Sequence, residues 1–185
     1  MLYTRKGDTG TTKTFDAKPG ERISKASCRT EALGAMDELN SFLGLCKVKA
    51  KDSRFKIKDL SMEDIVHQIQ QSLFIVQAEL AGAPKTIEMT KVENMEKLID
   101  AMESEMPPIK TFFISGGTEL AALFDVSRTL ARKAERGIIR AVEDGEVKLG
   151  QGTLSYVNRL SSLLYGLARL TNYKASIKEE PPTYV

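Results

Sequence analysis

The chain has 185 residues, of which 42% are hydrophobic and 28% charged, and its formal net charge is +2. This length and balance fit one globular domain; they exclude a disordered chain and a general nucleic-acid binder, which carries a large positive excess. No charged leader precedes an apolar segment, and no apolar run has the length of a membrane span, so we expect a cytoplasmic protein without membrane contacts.

The N-terminal segment, residues 1–24, lacks sustained periodicity and is rich in Gly, Thr, Lys and Asp. Gly7, Gly10 and Lys13 suit an anion, because glycine lets backbone N–H groups turn toward it and lysine adds charge. The Walker spacing and a preceding strand are both missing, so a P-loop nucleotide fold is not expected. A flexible arm without a ligand is the alternative for this loop.

Apolar residues recur at helical spacing in five segments of the remaining chain. The predicted helices cover about 25–47, 62–81 after a Ser61 cap, 90–104, a fourth segment that includes 127–140, and 153–174. Residues 110–118 are predicted to be an ordered loop that ends at a capping Thr118. We therefore expect one all-α domain over residues 1–185, with a helical bundle at 25–176 and a tail at 177–185 that is mobile or docked only at its end.

The fourth helix carries an arginine at every fourth position, at Arg128, Arg132, Arg136 and Arg140. Four residues turn about 40° past a full circle, so these side chains form a slowly winding row, nearly opposite the apolar face. The row must then face water, a polyanion or another subunit. A solvated face with local pairs to Glu135 is the plain alternative, and nucleic acid is disfavoured because no aromatic residues interleave the charges. A polyphosphate held between this helix and the N-terminal loop fits better.

The chain has two cysteines, Cys28 and Cys46, and a single histidine, His67. The cysteines lack metal-ligand spacing, so we expect buried free thiols, a structural histidine and no metal site built from protein ligands.

Four segments resemble the signature blocks of the ATP:cob(I)alamin adenosyltransferases of the propanediol-utilisation type. They are YTRKGDTGTT at 3–12, EALGAMDELNSFLG at 31–44, SRTLARKAER at 127–136 and YVNRLSSLLYGLAR at 156–169. The resemblance implies an up-and-down, ferritin-like five-helix bundle that forms a homotrimer with ATP between subunits. It also implies transfer of the 5'-deoxyadenosyl group of ATP to cob(I)alamin, with Mg²⁺ present and triphosphate as the leaving group. Cobalt(I) is the nucleophile in that reaction, so few histidines and cysteines are needed.

Site residues follow from the resemblance by matching position. The implied ATP contacts are Thr4, Arg5, Lys6, Gly7, Thr12, Lys13, Lys25, Arg132, Lys133, Glu135, Arg136 and Asn158. The implied catalytic residues are Arg132, Glu135, Arg128 and Phe112, with Arg128 paired to Asp37 of a neighbouring subunit and Phe112 beside the corrinoid.

Two departures from the family's pattern bear on these assignments. Ile114 and Ser115 stand where the family often has Leu-Pro, so Phe113 is the alternative to Phe112. Lys133 replaces a common arginine, which keeps the charge and loses the planar donor fork.

The resemblance leaves partners and rival functions to be considered. A reductase and an adenosylcobalamin-dependent enzyme are the expected protein partners, and nucleic acid is not expected. The main alternative hypothesis is a non-catalytic helical module that binds ATP or another polyanion as a sensor or scaffold. A nucleic-acid-binding bundle is the third hypothesis.

Overall fold

The structure is a computed structural model that describes residues 3–184, and five helices dominate it. The elements in chain order are β1 (Thr11–Thr12), β2 (Ile23–Ser24), α1 (Cys28–Ala50), β3 (Lys56–Ile57), β4 (Leu60–Ser61), α2 (Met62–Leu80), α3 (Met89–Glu105), α4 (Glu119–Glu143) and α5 (Gln151–Lys174). The all-α class and the five predicted helices are confirmed.

Helix starts follow the capping chemistry of the sequence. The side chain of Ser61 accepts a hydrogen bond from the backbone N–H of Asp64, whose carboxylate accepts one from Ser61, and Thr118 caps α4. The first helix begins three residues later than predicted, because Ser27 caps it through the backbone N–H of Thr30. Lys25 lies in the preceding loop instead, where its backbone N–H donates to Gly10.

Two antiparallel ladders, each of two-residue strands, are the part of the fold that the periodicity did not predict. Strand β1 pairs with β2 inside the N-terminal segment, and β3 pairs with β4 in the connection between α1 and α2. Such short strands leave too few side chains for an alternating pattern to register.

The helices alternate in direction along the chain. The end of α1 lies beside the starts of α2 and α4, through Lys47 with His67 and Lys49 with Glu119. Helix α5 is antiparallel to α4, as the contacts Asn158–Glu135 and Arg169–Asp125 show. It is parallel to α3, as the pairs Arg159–Glu96 and Lys174–Glu105 show. The predicted up-and-down bundle is therefore confirmed, and α4 packs between α1 and α5.

One apolar core joins all five helices, with fully buried side chains on each of them, among them Leu39, Leu73, Met102, Phe124 and Leu164. Helix α4 buries one side, and Arg132, Arg136 and Arg140 are exposed on the other, as predicted. Within residues 3–184, no helix combines the length and the apolar composition needed to cross a bilayer.

Candidate active site

A cleft beside the N-terminal segment, which we name the α1 cleft, has a volume of about 460 Å³. Its lining residues come from the N-terminal segment, α1 and α4: Thr12, Lys25, Thr30, Glu31, Gly34, Ala35, Glu38 and Lys133. The ammonium nitrogen of Lys133 lies 2.6 Å from a carboxylate oxygen of Glu38. An anion that entered this cleft would meet Lys25 and compete with Glu38 for Lys133.

The start of the N-terminal segment lies close to Lys25. A Cβ atom at Gly7 would stand 3.0 Å from the Lys25 ammonium nitrogen, so a larger residue there would crowd that side chain. The structure thus brings Gly7, Thr12, Lys25 and Lys133 to one region.

The other implied loop residues, Thr4, Arg5, Lys6 and Lys13, are exposed, and they do not line the α1 cleft. Their assignment as ATP contacts stays a prediction.

A larger cleft, about 780 Å³ in volume, lies on another side of α4, and we name it the α3–α5 cleft. It is lined from α4 by Asp125, Arg128 and Arg132, from the loop before α4 by Phe112 and Phe113 among others, from α3 by Ile99 and Glu103, and from α5 by Ser161, Ser162 and Tyr165. Phe112 is 77% exposed and Phe113 is half-buried, so the loop presents two aromatic side chains to this cleft. Burial raises the pKa of the Tyr165 hydroxyl.

Between the two clefts, α4 presents three exposed cations that we name the α4 ridge: Arg132, Lys133 and Arg136. Arg136 lies about 40° from Arg132 and about 60° from Lys133 around the helix. Neither arginine forms an ion pair with a carboxylate of residues 3–184. Local pairing that would neutralise Arg132 and Arg136 is therefore missing from the described part of the chain.

Glu135, the acid available for such pairing, is directed to α5. Its carboxylate accepts a hydrogen bond of 2.8 Å from the side-chain amide of Asn158. Asn158 in turn accepts one of 2.7 Å from Arg159. Two residues that the resemblance grouped as ATP contacts, 23 positions apart, are thus in direct contact.

A buried charge network lies behind the α3–α5 cleft. Arg169 is 2% exposed, and its guanidinium lies 2.6 Å from Asp125 and 2.8 Å from Glu179. Arg128 approaches the same Asp125 at 3.9 Å, too far for a hydrogen bond, and its buried Nε atom has no hydrogen-bond partner in residues 3–184. Burial of a charge requires pairing, so Asp125 and Glu179 hold Arg169 in place.

The C-terminal tail differs from the prediction that it is mobile or docked only at its end. The side-chain amide of Asn172 donates to Glu179 and to the carbonyl of Gly116, and the backbone N–H of Ile114 donates to Glu180. The first part of the tail is therefore attached to the loop that carries Phe112. Nothing in the local sequence signals these pairs, because their partners lie far apart in the chain.

The two thiols differ from each other. Cys46 is buried as predicted, and burial raises its pKa. Cys28 is only half-buried; its thiol donates to Asp144 at 2.9 Å, and that hydrogen bond raises its pKa most. No group of three or more His, Cys, Asp or Glu side chains in residues 3–184 is placed to hold a metal ion.

Comparison with known proteins assigns the chain to a family. The sequence model of the family described as cobalamin adenosyltransferase matches residues 2–171. The chain belongs to this family. A corrinoid adenosyltransferase of Citrobacter freundii, PduO, is 36% identical over 181 residues, which are 94% of this chain and 50% of that protein. The PduO protein of Salmonella typhimurium is 38% identical over 175 residues, 91% of this chain and 48% of that protein.

The chain spans about half the length of these two curated relatives. A solved structure matches it more fully, with a TM-score of 0.85, 28% identity, and coverage of 98% of this chain and 99% of the other. That structure is of a variant PduO-type ATP:corrinoid adenosyltransferase from Lactobacillus reuteri, complexed with cobalamin and ATP. The family resemblance and its five-helix fold are thus confirmed, and the residue assignments stay predictions.

Four contacts near the family's blocks were not anticipated from the sequence. Glu38 pairs with Lys133, Arg29 with Asp16, and Arg169 with both Asp125 and Glu179. Arg169 is the last residue of the block at 156–169, and the structure buries it. The carboxylates that neutralise it come from α4 and from the C-terminal tail.

Proposed function

We propose that this protein transfers the 5'-deoxyadenosyl group of ATP to cob(I)alamin, giving adenosylcobalamin and triphosphate. The observation that carries the proposal is the α4 ridge. Its two arginines form no ion pair within residues 3–184, and the ridge lies between the lysine-containing α1 cleft and the aromatic-lined α3–α5 cleft. Family membership and the relatives' described activity support the choice of substrates.

The triphosphate is assigned to the ridge and the α1 cleft. Arg132 and Arg136 offer planar donor forks, which suit phosphate oxygens, and Lys25 and Lys133 add point charges. Gly7, Thr12 and Lys13 of the N-terminal segment supply backbone N–H groups, a hydroxyl and a further cation. We assign Thr4, Arg5 and Lys6 to the same nucleotide, contributed from an exposed loop that can reach beyond its own subunit.

The corrinoid is assigned to the α3–α5 cleft. Phe112 is exposed at this cleft, so its ring is free to pack against a large planar ligand. The apolar residues around Phe112 would exclude the lower axial ligand of cobalt, which makes the metal easier to reduce. Phe113 lines the same cleft and is the alternative for this role.

A homotrimer with the nucleotide between subunits is part of the proposal. Val48 is 60% exposed on α1, about 20° around the helix from the exposed Asp37, so this face combines apolar surface with a charge. Arg128 has a buried nitrogen without a partner in residues 3–184, and we pair its guanidinium with Asp37 of a neighbouring subunit.

Chemically, the reduced cobalt attacks the 5' carbon of ATP and triphosphate leaves. The protein then needs to align the two substrates and to balance the charge that develops on the leaving group. Arg132, Arg136 and Lys133 perform the second task in this proposal. The hydrogen bond between Asn158 and Glu135 holds α5 against α4 next to the ridge. In this proposal Asn158 presents a polar group to the nucleotide from that position.

Magnesium fits the same site, as a companion of the phosphates. Mg²⁺ retains several waters and takes one or two carboxylates at most, and Glu31 and Glu38 of the α1 cleft are oxygen donors of that kind. Magnesium would neutralise phosphate charge there.

We place the protein in the cytoplasm, with a reductase and an adenosylcobalamin-dependent enzyme as its partners.

A direct assay separates this activity from that of a non-catalytic nucleotide-binding module. The protein is incubated with ATP, Mg²⁺ and chemically reduced cobalamin, and the corrinoid spectrum and released triphosphate are followed together. We expect adenosylcobalamin and triphosphate in equal amounts, and neither from unreduced hydroxocobalamin, which lacks the nucleophile. ATP binding without either product would instead support the sensor or scaffold reading. Retention by DNA that fades with salt would favour the nucleic-acid reading.

A further inference from the structure

The N-terminal segment is held to the bundle by few regular contacts. The regular structure within residues 3–24 is a single ladder between β1 and β2, which have two residues each. Arg22 braces β1 by donating hydrogen bonds to Thr11. A ladder of this size does not fix a loop by itself. Something else must therefore hold residues 3–24 against the helices.

Arg29, in the first turn of α1, makes that attachment. It is 8% exposed, its Nε donates to the carbonyl of Leu80 at 2.6 Å, and its Nη2 donates to both carboxylate oxygens of Asp16 at 2.9 and 3.0 Å. One guanidinium thus joins α1, the end of α2 and the N-terminal segment. The backbone N–H of Phe15 adds a hydrogen bond of 2.9 Å to the carbonyl of Ala81.

Gly82 provides the space for this ion pair. It has φ of +86°, and a Cβ atom there would stand 2.3 Å from the Asp16 carboxyl carbon and 2.7 Å from Arg29 Nη2. Any side chain would therefore displace the pair as well as strain the backbone. The turn after α2 is shaped around the contact between Arg29 and Asp16.

The contact between Arg29 and Asp16 lies close in the chain to Thr12, which lines the α1 cleft. Asp16 lies four residues after Thr12 and three after Lys13, and Thr14 between them is buried. We propose that Arg29, Asp16 and Gly82 form a clamp that positions the N-terminal segment for the nucleotide, so that Thr12 and Lys13 reach it in a defined geometry. These are positioning residues, and this inference rests on the proposed function.

The test uses Asp16→Asn in the whole 185-residue chain, because asparagine keeps the shape of the side chain and loses the charge. We expect the KM for ATP to rise about tenfold, with kcat at saturating ATP and the KM for cobalamin within about twofold of the original values. Gly82→Ala is expected to act in the same direction. Glu63→Gln is the matched control, since it removes the carboxylate of an exposed pair with Lys51 and leaves the clamp intact.

Proteolysis provides a second readout that requires no ATP. Trypsin should cut after Lys13 and Arg22 several times faster in Asp16→Asn than in Glu63→Gln, while both keep the same melting temperature within a few degrees. A wild-type KM for ATP, or a kcat that falls as much as KM rises, overturns the clamp. If the unaltered protein makes no adenosylcobalamin, the proposed function fails, and unchanged tryptic rates would overturn the clamp independently.

Discussion

Arg132 and Lys133 are neighbours in the chain, yet they line different clefts. Lys133 points to α1, where it pairs with Glu38, and Arg132 lines the α3–α5 cleft with residues of α5. Consecutive residues of a helix are about 100° apart, so one turn of α4 serves both surfaces. A ligand that lies across the ridge can therefore contact both clefts at once.

Arg132→Ala should leave the bundle folded and reduce adenosyl transfer about 100- to 1,000-fold, as is usual when a donor to developing charge is lost. The side chain is exposed and unpaired in residues 3–184, so its removal should hardly change stability. Adenosylcobalamin formation and the thermal melting curve measure the two effects. Arg140→Ala removes another exposed arginine of the same helix and should retain full activity. Near-wild-type turnover in Arg132→Ala would contradict the ATP assignment.

Asp37→Ala and Arg128→Ala should each weaken both the trimer and ATP binding. Truncating one partner of an interfacial charge pair leaves the other uncompensated, which costs about 2–5 kcal/mol. Sedimentation velocity and ATP titration measure the two properties, with Glu93→Gln on α3 as an exposed-carboxylate control. If both variants remain trimeric at the same concentration and bind ATP normally, the pair does not join subunits.

Two arginines of α5 should respond differently to replacement by methionine. Arg169→Met leaves Asp125 and Glu179 without their cation in a buried setting, so we expect a loss of about 3–5 kcal/mol in the free energy of unfolding. Arg159→Met breaks an exposed pair with Glu96 and should cost at most about 1 kcal/mol. Urea denaturation compares them directly. Equal costs would mean that the buried network contributes no more than a surface pair.

Alkaline pH should destabilise the fold through Tyr156. Burial raises the pKa of its phenol from 10.0 to about 12, so the folded state binds this proton more tightly than the unfolded chain does. The resulting stabilisation is complete below pH 10 and is lost as the pH rises toward about 12, with a slope of about 1.4 kcal/mol per pH unit. Urea denaturation at pH 9 and 11 should show a smaller loss in Tyr156→Phe. Tyr173→Phe is the control, because Tyr173 is half exposed. This variant should lose as much stability between pH 9 and 11 as the unaltered protein does.

Much of the fold is encoded locally and was therefore predictable. Helical periodicity identified five helices, and Ser61 and Thr118 were recognised as caps because capping depends on residues within one turn. The separation of the arginine row from the apolar face of α4 follows from the same 3.6-residue geometry. The four blocks, in order along the chain, were specific enough to indicate the family, which the comparisons confirm.

Contacts between distant segments were decided by tertiary structure. Arg29 with Asp16, Glu38 with Lys133, and Arg169 with Asp125 and Glu179 are pairs whose members look like ordinary surface charges in the sequence. Periodicity reports which way a side chain points from its own helix, and it contains no information about which element packs opposite. The attachment of the tail to the loop of Phe112 escaped prediction for that reason. Sequence thus determined the helices, the cationic row and the family, and packing determined how α4 divides its cations between two clefts.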